Sequence, residues 1–423
     1  MARQELDVRM GAQAVPVGTL IFESDGTRQI STFRYRSSWL ENPRGFDLAP
    51  SMPRQLAPFY GKHERNISCL PGAVEDGAPD SWGRKVIEKM SGSAHLGDLD
   101  YLTSTDDFLR MGALRYFSEQ GEALAPTPED KDGPRVPRLH NMSDVIMAAR
   151  AFEANPDEYA QKRADLVGGD ILHHAVGSLG GARPKVNAID NDGALWIIKL
   201  PKQGDDYAMA RAEVLALRMA RDVGINAAEA YVLNDAPHFP MIRVKRFDRT
   251  GKGYTARVPY ISAQTFVGAD MDHIASYEEI AMLMRAQVED SRKQIHELYR
   301  RMAFGVLVRN TDDHLRNHGF LRGATGWQLS PAFDINPEHR HGGQLQTPIS
   351  EIHGSDCSIS AVLDAAPYFD MTTKRAREMI GDMARYIAHN WRRIGSELQM
   401  TSRDFAAVGS TIENDDLSRA ASL

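Results

Sequence analysis

The alternation of apolar and polar residues near the N-terminus predicts β-strands followed by small helices. Residues 14–36 (AVPVGTLIFESDGTRQISTFRYR) hold two apolar and aromatic stretches separated by SDG, the pattern of a β-hairpin with a tight turn. Within DSWGRKVIEKM, Trp82, Val86 and Met90 recur at helical spacing. The first part of the chain is therefore expected to be β-rich, with helices after the sheet.

The later hydrophobic pattern predicts a small sheet that gives way to helices. Residues 119–138 are polar and contain four prolines, which predicts a loop between subdomains. Residues 186–200 predict two strands around DNDG, and 206–222 predict a helix that ends near Gly224. Helical spacing then dominates 277–309.

The two ends of the chain give further expectations. Residues 410–423 are polar with small side chains, so we expect a loosely held tail. The N-terminal MARQELDVRM carries charges where a signal peptide needs an apolar core, and no apolar run approaches bilayer length. A cytoplasmic protein without membrane contact is expected.

Composition limits the class of protein. The chain has 423 residues, of which 42% are hydrophobic and 25% charged, values typical of a globular protein with two or three packed units. The net charge of −7 argues against binding nucleic acid mainly by neutralising phosphates. Cys69 and Cys357 lie far apart without a CxxC spacing, so neither a disulfide framework nor a zinc site is indicated.

The strongest chemical pattern is NTDDHLRNHGF at 310–320. Asp312 and Asn317 are five positions apart, which is the spacing of the Asp and Asn in the catalytic loop of protein kinases. In such a loop the Asp accepts the proton of the attacking hydroxyl, and the Asn oxygen helps to hold a magnesium ion. The spacing alone is weak, because Asn-Thr-Asp is also ordinary helix-capping chemistry.

A second carboxylate follows 17 residues beyond Asn317, in SPAFDINP. Asp334 stands there after apolar residues and before a proline, like the metal-binding Asp of the kinase DFG segment. One carboxylate and one amide oxygen, completed by phosphate and water, suit Mg²⁺, and Mn²⁺ can substitute. Both residue types also serve commonly in turns.

A basic residue and a glycine pair precede these acids. Lys199 ends the apolar strand LWIIKLP, and Glu213 lies on the predicted helix, the order in which kinases place the lysine that contacts phosphates and its helix partner. A solvated lysine is the alternative, and Glu278 and Glu279 are equally plausible partners. In GSLGGARPK, the glycines permit close approach to phosphates and Lys185 adds positive charge, although the loop matches neither GxGxxG nor the Walker pattern.

The ordered set of motifs resembles the HipA family of bacterial kinase toxins. It consists of GSLGGARPK, IIKLP, VKRFDR, NTDDHLRNHGF and SPAFDINP, with WLENPRGFDLAPSMP, GAPDSWGRKV and DDFLRMGALRY outside the active-site motifs. The resemblance covers the chain from about residue 14 to about 400. It implies an α+β, two-lobed protein-kinase-like fold with a β-rich N-terminal lobe and a mainly helical C-terminal lobe. The expected divisions are 1–125 for the HipA-type N-terminal subdomain, 139–258 for the kinase N-lobe and 259–423 for the helical C-lobe.

The resemblance also implies roles for individual residues. Asp312 matches the catalytic base, Asn317 and Asp334 the magnesium ligands, and Lys199 the lysine that binds ATP phosphates. Ser178 matches the autophosphorylated serine, and the phosphate-binding loop corresponds to Gly180, Gly181, Ala182, Arg183, Pro184 and Lys185. At the position of the family's adenine hinge, this chain reads VPYISAQTF, which departs from the family's usual sequence there. By position, the resemblance implies that Ile261 and Ala263 form the hinge through their backbone groups.

Four histidines near the proposed site raise the question of a zinc cluster. They are His314, His318, His339 and His341. They lack an HExxH spacing and a carboxylate in register, so zinc is not favoured and His314 is expected to line the nucleotide pocket.

The leading functional hypothesis is a Ser/Thr protein kinase that uses ATP and Mg²⁺. The resemblance further implies a growth-inhibiting toxin connected with persistence, controlled by autophosphorylation and by a helix-turn-helix antitoxin similar to HipB, through which any DNA contact would run. It implies a protein substrate with a Ser or Thr hydroxyl, such as an aminoacyl-tRNA synthetase. A small-molecule phosphotransferase and a catalytically weak corepressor module bound to an antitoxin remain as alternatives.

Overall fold

The computed structural model describes most of the chain. The described residues are 2–338 and 343–423, apart from 26–27, 63–67, 94–95, 127–128, 131–132, 135, 141, 163–170, 176, 178–180, 182, 203, 234–239 and 270–272. The chain divides into two compact units, the first made of Met1–Gln203 and Lys245–Ile261 and the second of Gly204–Val244 and Ser262–Leu423. Strands and helices are both present, and the α+β class is confirmed.

The secondary structure up to residue 203 begins with a sheet. Its elements are β1 Ala2–Met10, β2 Val15–Ser24, β3 Gln29–Tyr35, α1 Ser37–Leu40, β4 Phe59–Lys62, α2 Gly72–Glu75, α3 Ser81–Ser91, α4 Asp98–Ser104, β5 Leu114–Phe117, β6 Glu129–Asp130, β7 Gly133–Pro134, α5 Ser143–Ala154, α6 Pro156–Lys162, α7 Ile171–Ala175, β8 Lys185–Ile189 and β9 Leu195–Lys199.

The remainder of the chain is mainly helical. Its elements are α8 Met209–Asp222, β10 Ala230–Leu233, β11 Met241–Lys245, β12 Arg249–Thr250, β13 Ala256–Arg257, β14 Tyr260–Ser262, α9 Ala263–Val267, α10 Tyr277–Gln287, α11 Ser291–Leu307, β15 Gly319–Arg322, β16 Trp327–Leu329, α12 Ile359–Asp364, α13 Thr373–Glu397, α14 Ser402–Ile412 and α15 Asp415–Ala421. In the part of the chain that is described, no helix is long and apolar enough to cross a membrane.

The N-terminal sheet is antiparallel, with strand order β4-β3-β2-β1-β5. The hairpin predicted at 14–36 is confirmed as β2 and β3, with Ser24 opposite Gln29 at its turn. Leu20 and Phe33 face each other across the pair and are fully buried. The alternation read from the sequence therefore marks the face that packs on the core. The predicted helix at Trp82 is confirmed as α3.

A buried group of charges ties the VKRFDR segment to the N-terminal motif DDFLRMGALRY. Asp248 is fully buried and accepts hydrogen bonds from Arg246 Nε (2.9 Å), Arg249 Nη1 (2.5 Å) and the backbone N–H of Gly112 (2.8 Å). Both arginines also donate to the carbonyl of Arg110, at 3.2 and 2.8 Å. Burial by itself would raise the pKa of Asp248, but the two guanidinium groups and the Gly112 N–H hold it well below its usual range.

The second unit overturns the prediction that residues 410–423 form a loose tail. This segment contains the end of α14 and all of α15, and Leu417 and Ala420 are buried. Asn414 caps α15 by accepting from the N–H of Leu417 (2.9 Å), and its Nδ2 donates to the carbonyl of Leu307 at the end of α11 (3.0 Å). The sequence suggested a tail because the residues that hold it are few and small, whereas their partners lie about 100 residues earlier in the chain.

We expect Asp248→Asn to destabilise the protein by about 3–5 kcal/mol at neutral pH, because two buried arginines would lose their counter-charge. Asp192→Asn, at an exposed position of the same unit, is the matched control. Urea unfolding measures the difference. Since the folded pKa of Asp248 is lowered, its contribution is present above the usual carboxyl range and lost as the pH falls below it, so the two variants should converge in stability in acid. Equal unfolding free energies at pH 7 would contradict the assignment.

Candidate active site

The end of α11 directs the chain into the NTDDHLRNHGF loop. Arg309 follows the helix with a φ of 58°, the left-handed conformation that commonly ends helices. Its guanidinium donates to the carbonyl of Cys357 (2.6 Å) and to Asp416 Oδ2 in α15 (2.7 Å). These two side-chain contacts hold Arg309 in the left-handed conformation and so fix the position of the residue at which the loop begins.

Within the loop, Asp312 and Asn317 are in contact. The carbonyl of Asp312 accepts from the N–H of His314 (3.0 Å) and from Asn317 Nδ2 (3.2 Å), across a 3-10 turn at Leu315–Asn317. The predicted spacing therefore brings the two residues together, as a kinase-like loop requires. The hydrogen bond uses the amide nitrogen of Asn317 and so orients its amide oxygen, which is the atom that can bind a cation.

Asp313, the neighbour of the proposed base, holds the loop through its buried side chain. It is buried, its Oδ2 accepts from the hydroxyl of Tyr277, and His318 Nε2 lies 3.1 Å from its Oδ1. Burial would raise the pKa of Asp313, but the His318 imidazole and the hydrogen bonds from His318 and Tyr277 lower it below its usual value. Sequence reasoning missed Asp313 and Tyr277, because only the fold shows which of two adjacent aspartates points inward.

The SPAFDINP segment runs alongside the beginning of the loop. Asn310 Oδ1 accepts from the N–H of Asn336 (3.0 Å), and Thr311 Oγ1 donates to the carbonyl of Glu338 (2.9 Å). These bonds bring the segment that carries Asp334 next to the segment that carries Asp312. Asp334 itself has a φ of 56°, a conformation that Asp and Asn tolerate better than most residues.

The donor set fits a hard divalent cation. The Asp334 carboxylate is half-buried and is oriented through Oδ1, which accepts from Asn336 Nδ2 (3.0 Å). With the Asn317 amide oxygen it would offer oxygen ligands only, the donors that Mg²⁺ prefers.

In the first unit, two lysines lie directly opposite each other at the end of a hairpin. β8 and β9 pair so that Lys185 faces Lys199, with Lys185 buried and Lys199 half-buried. Opposed residues of an antiparallel pair share a face of the sheet, and like charges there repel. The phosphate-binding role expected of both residues stays a prediction.

The glycine loop before β8 is closely packed where it is described. Gly177 needs to be a glycine, since a Cβ there would lie 2.8 Å from Asn187 Nδ2 and 2.9 Å from the carbonyl of Leu109. Gly181 has a φ of 100°, and a Cβ would lie 2.5 Å from Lys185 Nζ. The Lys185 ammonium therefore lies against the Gly181 backbone.

Asp80, which caps α3, also reaches this loop. Its Oδ2 accepts from the N–H of Gly181, and its Oδ1 accepts from the N–H of Ser81 (2.7 Å). The N–H of Gly181, in the expected phosphate-binding loop, is therefore already hydrogen-bonded to a carboxylate. The motif GAPDSWGRKV was placed outside the active-site motifs, so sequence reasoning did not connect Asp80 with the loop.

The other expected residues have varied surroundings. Ala263 N–H donates to the carbonyl of His318 (2.7 Å), and Ile261 and Ala263 are buried. Glu213 is buried on α8 of the second unit, and its pairing with Lys199 stays a prediction. Pro184 is buried and Arg183 half-buried, whereas Ser178, Gly180, Ala182, His339 and His341 lie outside the described residues.

His314 has an unsatisfied nitrogen. Its Nδ1 is buried and has no hydrogen-bond partner among the residues that the structure describes. Buried polar atoms are rarely left without a partner. A ligand that fills the space beside the loop is one way to satisfy it, in keeping with the nucleotide-lining position expected for His314.

Comparison with known proteins gives matches over most of the chain. The family model for a HipA-like C-terminal domain matches residues 177–391, and that for a HipA N-terminal domain matches residues 6–117. A putative kinase of Sinorhizobium fredii, Y4dM, is 30% identical over 347 residues, which are 78% of this chain and 76% of that protein. Toxin YjjJ of Escherichia coli is 26% identical over 297 residues, which are 65% of this chain and 61% of the toxin.

A solved structure is also similar. The HipA of Shewanella oneidensis, from a complex with HipB and operator DNA, superposes with a TM-score of 0.67 over 99% of this chain and 97% of its own, at 14% identity. At that identity the likeness shows the fold alone.

We expect Asp416→Asn to lower the free energy of unfolding by about 1.5–3 kcal/mol and to speed hydrogen exchange in residues 309–318. The carboxylate bonds to Arg309 (2.7 Å) and to the N–H of Ile359 (3.0 Å), so its loss frees the start of the loop. Asp415→Asn changes the exposed neighbour on the same helix and is the control. If both variants exchange alike, α15 does not support the loop.

Proposed function

The chain belongs to the HipA family, and we propose that it is a Ser/Thr protein kinase that transfers the γ-phosphate of ATP to a protein hydroxyl. The observation that carries the proposal is the contact between Asn317 Nδ2 and the Asp312 carbonyl, next to the segment of Asp334. This contact supports a base and one oxygen ligand in a loop of kinase-like spacing, and the segment that carries Asp334 is hydrogen-bonded beside that loop.

In the proposed reaction Asp312 acts as the general base. The substrate hydroxyl gives its proton to the Asp312 carboxylate while its oxygen forms a bond to the γ-phosphorus. The bond from that phosphorus to the bridging oxygen breaks, and ADP leaves with the electron pair. Buried Asp313 keeps the loop in place and does not itself take the proton, because its pKa is lowered and its oxygens are engaged by Tyr277 and His318.

Asn317 and Asp334 would hold Mg²⁺ in this proposal. When bound, the ion would neutralise phosphate charge and align the triphosphate. The half-buried Asp334 is kept in orientation by Asn336, which limits the rearrangement needed on binding. Mn²⁺ fits the same oxygen donors.

The ATP phosphates are assigned to the end of the β8–β9 hairpin and the glycine loop. Lys199 and Lys185 would supply positive charge, and the loop residues Gly180, Gly181, Ala182, Arg183 and Pro184 would allow close approach of the phosphates. Pro184 has no N–H to donate, and the Gly181 N–H already donates to Asp80. We keep Glu213 as the helix partner of Lys199, His314 as a residue beside the nucleotide, and the backbone at Ile261 and Ala263 as the adenine hinge. The Ala263 N–H already donates to the carbonyl of His318.

Toxin activity and control by an antitoxin are further parts of the proposal. They are supported by similarity to a protein named a toxin and to a HipA solved with HipB and DNA. We propose a helix-turn-helix antitoxin as partner, DNA contact through that antitoxin, a cytoplasmic location, and a protein substrate with a Ser or Thr hydroxyl, an aminoacyl-tRNA synthetase being one candidate. Autophosphorylation at Ser178 and the divisions 1–125, 139–258 and 259–423 are proposed with them.

We expect Asp312→Asn to reduce phosphoryl transfer by about 10²–10⁴-fold, because the base is lost while the other groups remain. The assay follows transfer of labelled γ-phosphate from ATP to the protein itself, to casein and to water, with mapping of Ser178 by mass spectrometry. Binding of ATP, measured by calorimetry, should stay within a few-fold of wild type. Asp364→Asn, on an exposed position of α12, is the control. Wild-type rates in the Asp312→Asn variant would rule out the assigned base.

We expect Asp334→Asn to weaken Mg²⁺-dependent ATP binding by about 10- to 100-fold, a range seen even for residues that only support metal ligands. Asparagine tolerates the left-handed backbone conformation of Asp334, so the loss of ATP affinity can be attributed to the loss of the negative charge. Calorimetric titrations with Mg²⁺ and with EDTA separate metal-dependent from metal-independent binding. Tight ATP binding that ignores EDTA would argue against a metal role for Asp334.

A further inference from the structure

Two residues of a distant segment contact three consecutive residues of the catalytic loop. The N–H of Gln346 donates to the carbonyl of Thr311 (3.3 Å), its side-chain Nε2 donates to Oδ1 of Asp312, and Thr347 Oγ1 donates to the carbonyl of Asp313 (2.6 Å). Nothing in the kinase-like spacing pointed to this segment.

The segment is itself firmly held, so the contact is not that of a loose surface chain. The carbonyls of Pro348 and Ile349 accept from the N–H groups of Tyr277 (2.9 Å) and Glu278 (3.2 Å) at the start of α10. Thr347 and Ile349 are buried. Gln346 therefore extends from a fixed backbone to the carboxylate of Asp312.

A carboxylate that acts as a base must present one oxygen to the proton it accepts. A free aspartate rotates about its terminal bond and offers either oxygen, whereas a hydrogen bond to Oδ1 fixes that rotation. An amide donor achieves this without a positive charge, which would stabilise the carboxylate against protonation. The amide of Gln346 can therefore orient the carboxylate while stabilising its charged form less than a Lys or Arg side chain would.

We propose that Gln346 is a positioning residue for phosphoryl transfer, which holds Oδ1 of Asp312 so that Oδ2 receives the proton of the substrate hydroxyl. The inference rests on the proposed kinase function and adds a residue to it. Thr347 donates to the Asp313 carbonyl, whereas Gln346 donates to the Asp312 carboxylate. Variants at these two residues therefore distinguish an effect on the position of the base from an effect on the stability of the loop.

The test compares Gln346→Met, Gln346→Glu and Thr347→Val in the full chain. The measured quantities are the rate constant for transfer of labelled γ-phosphate at saturating ATP, the ATP concentration that gives half of that rate, and the melting temperature. Gln328→Met makes the same change in β16, where Gln328 contacts Glu289, and is the control.

We expect Gln346→Met to lower the rate constant by about 10- to 100-fold, the cost of a misplaced reacting group, with little change in half-saturating ATP or melting temperature. Gln346→Glu should be slower still, because two carboxylates would repel each other. Thr347→Val should lower the melting temperature more than Gln346→Met does, and should lower the rate constant less.

Three results would overturn the inference while leaving the kinase assignment intact. A faster rate in Gln346→Met means that Gln346 blocks the base. An unchanged rate, when Asp312→Asn is inactive, means that the contact is dispensable. Equal losses of rate and of melting temperature in Gln346→Met and Thr347→Val mean that the contact acts through loop stability. If the wild-type chain transfers phosphate to no acceptor, the proposed function itself fails.

Discussion

In the second unit, the central constraint is that the backbone carbonyl groups of the catalytic loop need hydrogen-bond donors. Buried carbonyl groups require donors, and three of those in the loop between Arg309 and His318 obtain them from segments far away in the chain. The carbonyl of Thr311 is bonded by Gln346, that of Asp313 by Thr347 and that of His318 by Ala263. The loop is therefore held partly through its main chain, while the Asp312 carboxylate is contacted through Oδ1 by Gln346.

The first unit meets a different constraint, a concentration of buried positive charge. Arg246 and Arg249 form ion pairs with Asp248, and both also donate to the carbonyl of Arg110. The segment belongs to the region matched by the N-terminal family model, whereas the arginines belong to the region matched by the C-terminal one. The N-terminal region is thus built into the same core as the β8–β9 hairpin, and the contact of Asp80 with Gly181 extends this connection to the glycine loop.

The sequence predicted several elements correctly for physical reasons. Alternating apolar residues identified the β2–β3 hairpin, and helical spacing identified α3 and α11, because these patterns reflect which face is buried. The spacing of Asp312 and Asn317 identified the loop, since five residues suffice to turn the chain back on itself. The helix α15 was missed altogether, because the contacts that hold it, to Arg309 and to the carbonyl of Leu307, come from residues far away in the sequence.

The order of chemical groups along the chain was therefore determined by the sequence alone, together with the family and the α+β class. Only the tertiary structure decided which of Asp312 and Asp313 is buried, that Asp80 contacts the glycine loop, and that Gln346 holds the proposed base. Each of these depends on a hydrogen bond between residues far apart in sequence. Local patterns report burial and turns, whereas the partner of a polar group is set by which distant segments the folded core brings together.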